Sequence, residues 1–307
     1  MIAEADKTLH EINAPYPPHI RLASNLHSAV MGRLFLAVMA ELWLLVAAQP
    51  GSYEPGAHRV LMTAVQTKSN LRAELTPGLL RAFSRAGYPI PVAGIESATN
   101  TPIHFLLFIE SNRSATRRAK FEPALEQSEF LVRDYVAEAG DVTAYAFSDT
   151  AERLVTRSTE LSSLHDKFRS LPYGKKACLL ETLLQGIRET PRDDNRQVAI
   201  VISNGEDDCS SGKEKQVIEN AEQKSVVIYA LDTHFSLRKS WGTYLMERIT
   251  VATGGRLLYP ENAKAVEQSF SRLRSDLLSQ YWVTLGPPGR ARKFQYLGGG
   301  VELLYPR

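Results

Sequence analysis

The residues of this chain most able to do chemistry stand at abrupt changes from apolar to polar. Glu110-Ser111-Asn112-Arg113-Ser114 follows the run "IHFLLFI". Asn204-Gly205-Glu206-Asp207-Asp208 follows "VAIVIS". Carboxylate, amide and hydroxyl oxygens crowded at two loops are the ligand types of a hard divalent cation. Glu110, Ser114, Asp207 and Asp208 are the candidates for holding one, and Ca²⁺ would tolerate their irregular arrangement better than Mg²⁺. Two cysteines, Cys178 and Cys209, lack the paired spacing of a zinc site and could form one disulfide if the compartment is oxidising.

Catalysis has fewer supports. The chain has no G-x-S-x-G elbow, no P-loop, no G-x-G-x-x-G after its first strand and no H-E-x-x-H. His104 falls inside a predicted strand and His165 on a predicted helix, where lone histidines are structural or exposed. Ser114, Glu110 and His234 are the only visible set from which a hydrolase could be assembled. An enzyme on an α/β sheet is therefore the alternative reading, and a binding module the leading one.

Elements must bring these loops together. The 307 residues are 44% apolar and 23% charged, enough for a sizeable core. A formal charge of +2, with no long block of one sign, gives no case for nucleic acid. After Pro102 apolar runs alternate with amphipathic stretches, the pattern of βα units around a mainly parallel sheet. The strand candidates are "IHFLLFI", "VTAYAFS", "ERLVTRS", "VAIVIS", "VVIYALD", "GRLLYP" and "YWVTLGP". Between them Leu125, Val132, Tyr135 and Val136 form one helical stripe, and Val266, Phe270, Leu273 and Leu277 another. Ser148-Asp149 turns a hairpin-like pair, so one edge strand is predicted antiparallel. The expected fold is α/β and doubly wound, with helices on both faces of the sheet. In such sheets ligands bind beyond the carboxyl ends of the strands where the strand order reverses, so the loops after Ile109, before Ala177 and after Ile202 should share one edge.

The flanks read differently. Residues 34–48, "LFLAVMAELWLLVAA", have the length of a signal-peptide core and fall short of the ~20 residues that span a bilayer. With Arg33 before the run and Val46-Ala47-Ala48 at its end, residues 1–48 read as an N-terminal extension with a signal peptide, translation starting at Met1 or Met31. An extracytoplasmic address follows, periplasmic or secreted, with an uncleaved anchor as the one route to a membrane. Residues 49–101 read as a β-containing lead-in, in which "HRVLMTAVQT" is a strand and "TPGLLRAFSRAGYPIPVAGIES" a short helix or turn followed by an extended piece. Residues 289–307 read as two short strands around Gly298-Gly299-Gly300, extending a sheet edge or packing on the lead-in.

Several landmarks, taken in order, resemble the von Willebrand factor type A domain, and its large bacterial exported branch in particular. They are the strand leading to Glu110, "AYAFSDTAERLVTRST", "GKKACLLETLL", "VAIVISNGEDDCS", "VVIYALDT", "ITVATGGRLLYP" and "LRSDLLSQYWVTLGPP". The resemblance covers residues 102–288. It implies a binding or adhesion module for a protein or peptide, whose metal-ion-dependent adhesion site is built from an Asp-x-Ser-x-Ser turn, a Thr from a second loop and an Asp from a third. Here Glu110 stands for the first Asp, Asn112 for the first Ser, Ser114 matches the second, Ala177 replaces the Thr and Asn204 the last Asp. Ala177 has no oxygen to give and Asn204 offers a neutral one, so the motif is degenerate. No resident cofactor is expected; Mg²⁺ or Ca²⁺ would be the ion if one bound. The resemblance also places Cys178 and Cys209 at the same edge, where a disulfide would tie two site loops together.

Overall fold

The structure, a computed structural model, describes residues 58–160, 164–191, 193–209, 212–234, 238–287 and 290–307. The expected leader and both candidate start sites lie outside the described residues.

The apolar runs after Pro102 form a six-stranded sheet. Its strands in chain order are β5 (Ile103–Glu110), β6 (Asp141–Phe147), β7 (Ala151–Ser158), β8 (Arg196–Ser203), β9 (Val226–Asp232) and β10 (Leu257–Leu258). Their spatial order is β10-β9-β8-β5-β6-β7. All neighbours run parallel except β6 and β7, which the Ser148-Asp149 turn folds back antiparallel. Every residue of β5, β8 and β9 is buried, as continuous apolar strands must be when helices cover both faces.

The two-residue period of β5 divides the core. Phe105, Leu107 and Ile109 join one cluster with Leu125 and Val132 of α2 (Phe121–Val136) and with Phe270 and Leu273 of α7 (Ala265–Leu278). Leu106 and Phe108 face the other cluster. There they meet Leu183 and Ile187 of α4 (Leu179–Glu189), Val217 of α5 (Glu214–Lys224) and Leu245 and Ile249 of α6 (Trp241–Ala252). Each fully buried Leu, Ile or Phe contributes roughly 1.5–3 kcal/mol. Two short helices complete the domain, α1 (Arg113–Thr116) at the end of β5 and α3 (Leu164–Arg169) beside β7.

One strand of the expected parallel sheet belongs elsewhere. β11 (Gln280–Leu285, in "YWVTLGP") pairs antiparallel with β1 (His58–Gln66) and β4 (Val92–Ser97), in a four-stranded sheet ordered β13-β1-β11-β4. The reason is the partner on offer: β10 presents two residues, whereas β1 presents a register from His58↔Leu285 to Thr63↔Gln280. Within "TPGLLRAFSRAGYPIPVAGIES", Leu80–Phe83 is not helical; it is β2, paired with β3 (Pro89–Ile90) and β12 (Lys293–Tyr296). β13 (Val301–Leu304) pairs with β1, so both flanks of the chain share one β layer.

Arg196 joins that layer to the central sheet. It is 1% exposed and donates to the carbonyls of Thr101 (3.0 Å) and Leu277 (2.8 Å) and to Gln280 Oε1 (3.1 Å). Burial lowers its pKa to about 10, so the guanidinium stays charged at neutral pH. At the opposite sheet end from the polar loops, the buried His104 ring bonds Asp141 through Nδ1.

Candidate functional site

The strand order reverses between β5 and β8, and the last residues of these strands make the centre of the site. Glu110 ends β5 and is fully buried. Its Oε2 accepts from Ser203 Oγ (2.7 Å) and the Asn204 backbone N–H (2.9 Å), both at the end of β8. Its Oε1 accepts from the Asn112 side-chain amide. Burial pushes the Glu110 carboxyl up to about 7 despite these three donors, and the nearby charge of Glu206 adds to the rise.

Asn112 organises the first loop. It caps α1 by accepting from Ala115 N–H (2.8 Å) on Oδ1, which also accepts from Ser114 Oγ (2.9 Å). Asn204 spans outward, donating through Nδ2 to Ser114 Oγ (3.4 Å) and Glu206 (3.1 Å). Gly205 turns the third loop with φ +78°, and a Cβ there would lie 2.4 Å from the Gly242 carbonyl oxygen, so the loop rests directly on the first turn of α6.

The second loop attaches by other means. A disulfide joins Cys178 and Cys209, with Cα atoms 4.9 Å apart. Asp208 accepts from Ala177 N–H (2.9 Å) and returns its own N–H to Ala177 O (2.7 Å), while Asp207 accepts from Leu180 N–H (3.2 Å) at the start of α4. Cys178 N–H donates to Ser148 O, and Gly174 forms a bridge with Asn112. Glu181 pairs with Lys213.

Thus Glu110, Asn112, Ser114 and Asn204 form one hydrogen-bonded unit, and the loop of Ala177 is tied beside it by the disulfide, by Asp208 and by the Gly174 bridge to Asn112. Sequence reasoning passed over Ser203, the last residue of an apolar strand, although its hydroxyl holds Glu110. His234 was read at the end of β9, but not the roles of Asp232, Thr243 and Lys120 around it. There Asp232 accepts from Thr243 Oγ1 and His234 N–H (both 2.6 Å), and Lys120 donates to His234 O (2.7 Å). Burial raises the Asp232 pKa and lowers that of Lys120.

The residues at the reversal point do not suit an octahedral Mg²⁺. Both Glu110 oxygens already accept hydrogen bonds from protein groups, the Asn204 amide turns its N–H group toward Ser114, and Ala177 contributes no oxygen. Among the described residues no three His, Cys, Asp or Glu side chains gather as a metal cluster.

The doubly wound sheet, with one antiparallel edge strand and polar loops gathered at its reversal point, is the architecture that the resemblance to von Willebrand factor type A domains implied. No family model matches the chain, and no curated protein matches it. Similar solved structures include an aerotolerance-related membrane protein from Bacteroides fragilis, at 13% identity and TM-score 0.44, covering 57% of this chain and 98% of that one. Conserved hypothetical protein BatB from Bacteroides thetaiotaomicron overlaps at 16% identity and TM-score 0.41, covering 56% and 98%. Proximal thread matrix protein 1 from the mussel byssus, with a zinc-occupied MIDAS motif, overlaps at 13% identity and TM-score 0.47, covering 65% and 50%. The fold assignment rests on strand order and pairing, not on these overlaps.

Proposed function

We propose that the chain is a non-enzymatic, exported binding module that engages a protein or peptide through its strand-end loops, without a divalent metal. The observation that carries this reading is the state of Glu110: three protein donors occupy the carboxylate that a cation would have to share. Residues 102–288 are the binding domain in this reading, residues 49–101 and 289–307 support it, and residues 1–48 direct export. Membrane contact would come only through an uncleaved leader. No described helix is long and apolar enough to cross a membrane.

Two further observations support the reading. The proton of Ser114 Oγ is directed to Asn112 Oδ1, an amide oxygen that cannot act as a base, which weighs against Ser114 as the nucleophile of the alternative hydrolase. A disulfide between two site loops suits an oxidising compartment. Calorimetric titration of the chain with Mg²⁺, Mn²⁺ and Ca²⁺ tests the metal-free reading: no binding tighter than millimolar is expected. A micromolar site that disappears in Glu110→Ala would overturn it.

A further inference from the structure

The rim of the strand-end edge differs from its hydrogen-bonded centre. Tyr173 is 56% exposed and Trp241 66% exposed, and each precedes a glycine that abuts a site loop. Gly174 bridges to Asn112, and Gly242 lies against Gly205. Arg113 and Arg117 are exposed on the first loop and pair with no described carboxylate. Trp, Tyr and Arg are the residue types that dominate binding energy at interfaces, because they combine large apolar area with directed hydrogen bonds.

Topology puts these groups in a line. Gly174 packs on Ser148 just past β6, the arginines follow β5, Glu206 follows β8, and α6 carries Trp241 beyond β9. Since β6, β5, β8 and β9 are successive neighbours, three interstrand steps separate the ends, about 14 Å, or about four to five residues of extended chain.

We propose that this rim is a docking strip for an extended protein segment of about five residues. One carboxylate of the segment pairs with Arg113 and Arg117, and an apolar side chain packs on Trp241. Bidentate pairing gives the guanidinium groups directional hold on a carboxylate. Exposed Glu206 between the two positions disfavours a second acid, so the order of charge along the segment matters. The proposal rests on the strand-end loops being the binding face.

Fluorescence anisotropy of labelled pentapeptides tests it, using the full chain in chelator. Arg113 and Trp241 follow strands two interstrand steps apart, about 10 Å, so each peptide has Asp, Ser or Lys three positions from Leu or Ser, in both chain directions. The Asp and Leu combination should bind at least about tenfold tighter than its Ser and Lys counterparts, with an affinity that falls as salt rises. Combined Arg113→Glu and Arg117→Glu should shift the preference to Lys, and Trp241→Ala should weaken binding about tenfold. Absence of an acid preference, or a preference untouched by the double reversal, overturns the proposal. Ser114→Trp separates the two ideas by filling the middle of the face. If it blocks peptide while the arginine reversals change nothing, the face stands and acid recognition falls; if it blocks nothing, both fall.

Discussion

Glu110 shows how a strand-end carboxylate can be kept without a cation. Three protein donors offset part of the cost of burying its charge, yet burial dominates and leaves the pKa near 7. In the unfolded chain the same group ionises near its ordinary value of 4.5. Below that value both states are protonated, and the contribution of Glu110 to stability is complete. As pH rises toward 7 the unfolded chain releases its proton first, so folding weakens by about 3 kcal/mol and then levels off. Denaturant titrations at pH 4, 6 and 8 should therefore show the stability of the native chain relative to Glu110→Gln falling by about this amount. A pH-independent difference would mean that Glu110 titrates in the fold at its ordinary value of 4.5. Glu110 itself was legible in the sequence as a polar residue ending an apolar run. Ser203 was not, because its hydroxyl is the final position of a strand whose other residues are simply core.

At the scale of elements, the reversal of strand order gathers the loops and separate devices hold them. The disulfide closes a segment of 31 residues between the second and third loops. Replacing Cys178 and Cys209 together by Ser should cost about 3–4 kcal/mol through chain entropy and should raise hydrogen exchange at Ala177 and Asp208. Gly205→Ala combines a left-handed backbone with a clash against Gly242, and a loss of about 2 kcal/mol or more is expected by thermal denaturation. Arg196→Ala would strand the buried carbonyls of Thr101 and Leu277, so a loss of about 3 kcal/mol or more is expected. The helical stripes and the runs of β5, β8 and β9 were legible because periodicity reports burial directly. The place of β11 was not: an apolar run records that a strand is covered, not which edge it pairs with.

For the whole molecule, the central sheet and the second β layer depend on each other through β11 and Arg196. The pairing of β1 with β13, and of β2 with β12, spans more than two hundred residues of chain and leaves no short-range trace in sequence. A chain ending before Arg290 loses β12 and β13, uncovers one edge of β1 and removes Phe294 from the core. Lower stability and self-association are expected, and sedimentation would register the second. In the proposed reading the residues at the reversal point, not the solution conditions, decide against metal. The most direct measurement is Mn²⁺ calorimetry on the native chain beside a variant carrying Glu110→Asp, Asn112→Ser, Ala177→Thr and Asn204→Asp. No site tighter than millimolar is expected in the native chain, and an affinity at least about tenfold higher in the variant. A micromolar Mn²⁺ site in the native chain, lost in Glu110→Ala, would contradict it.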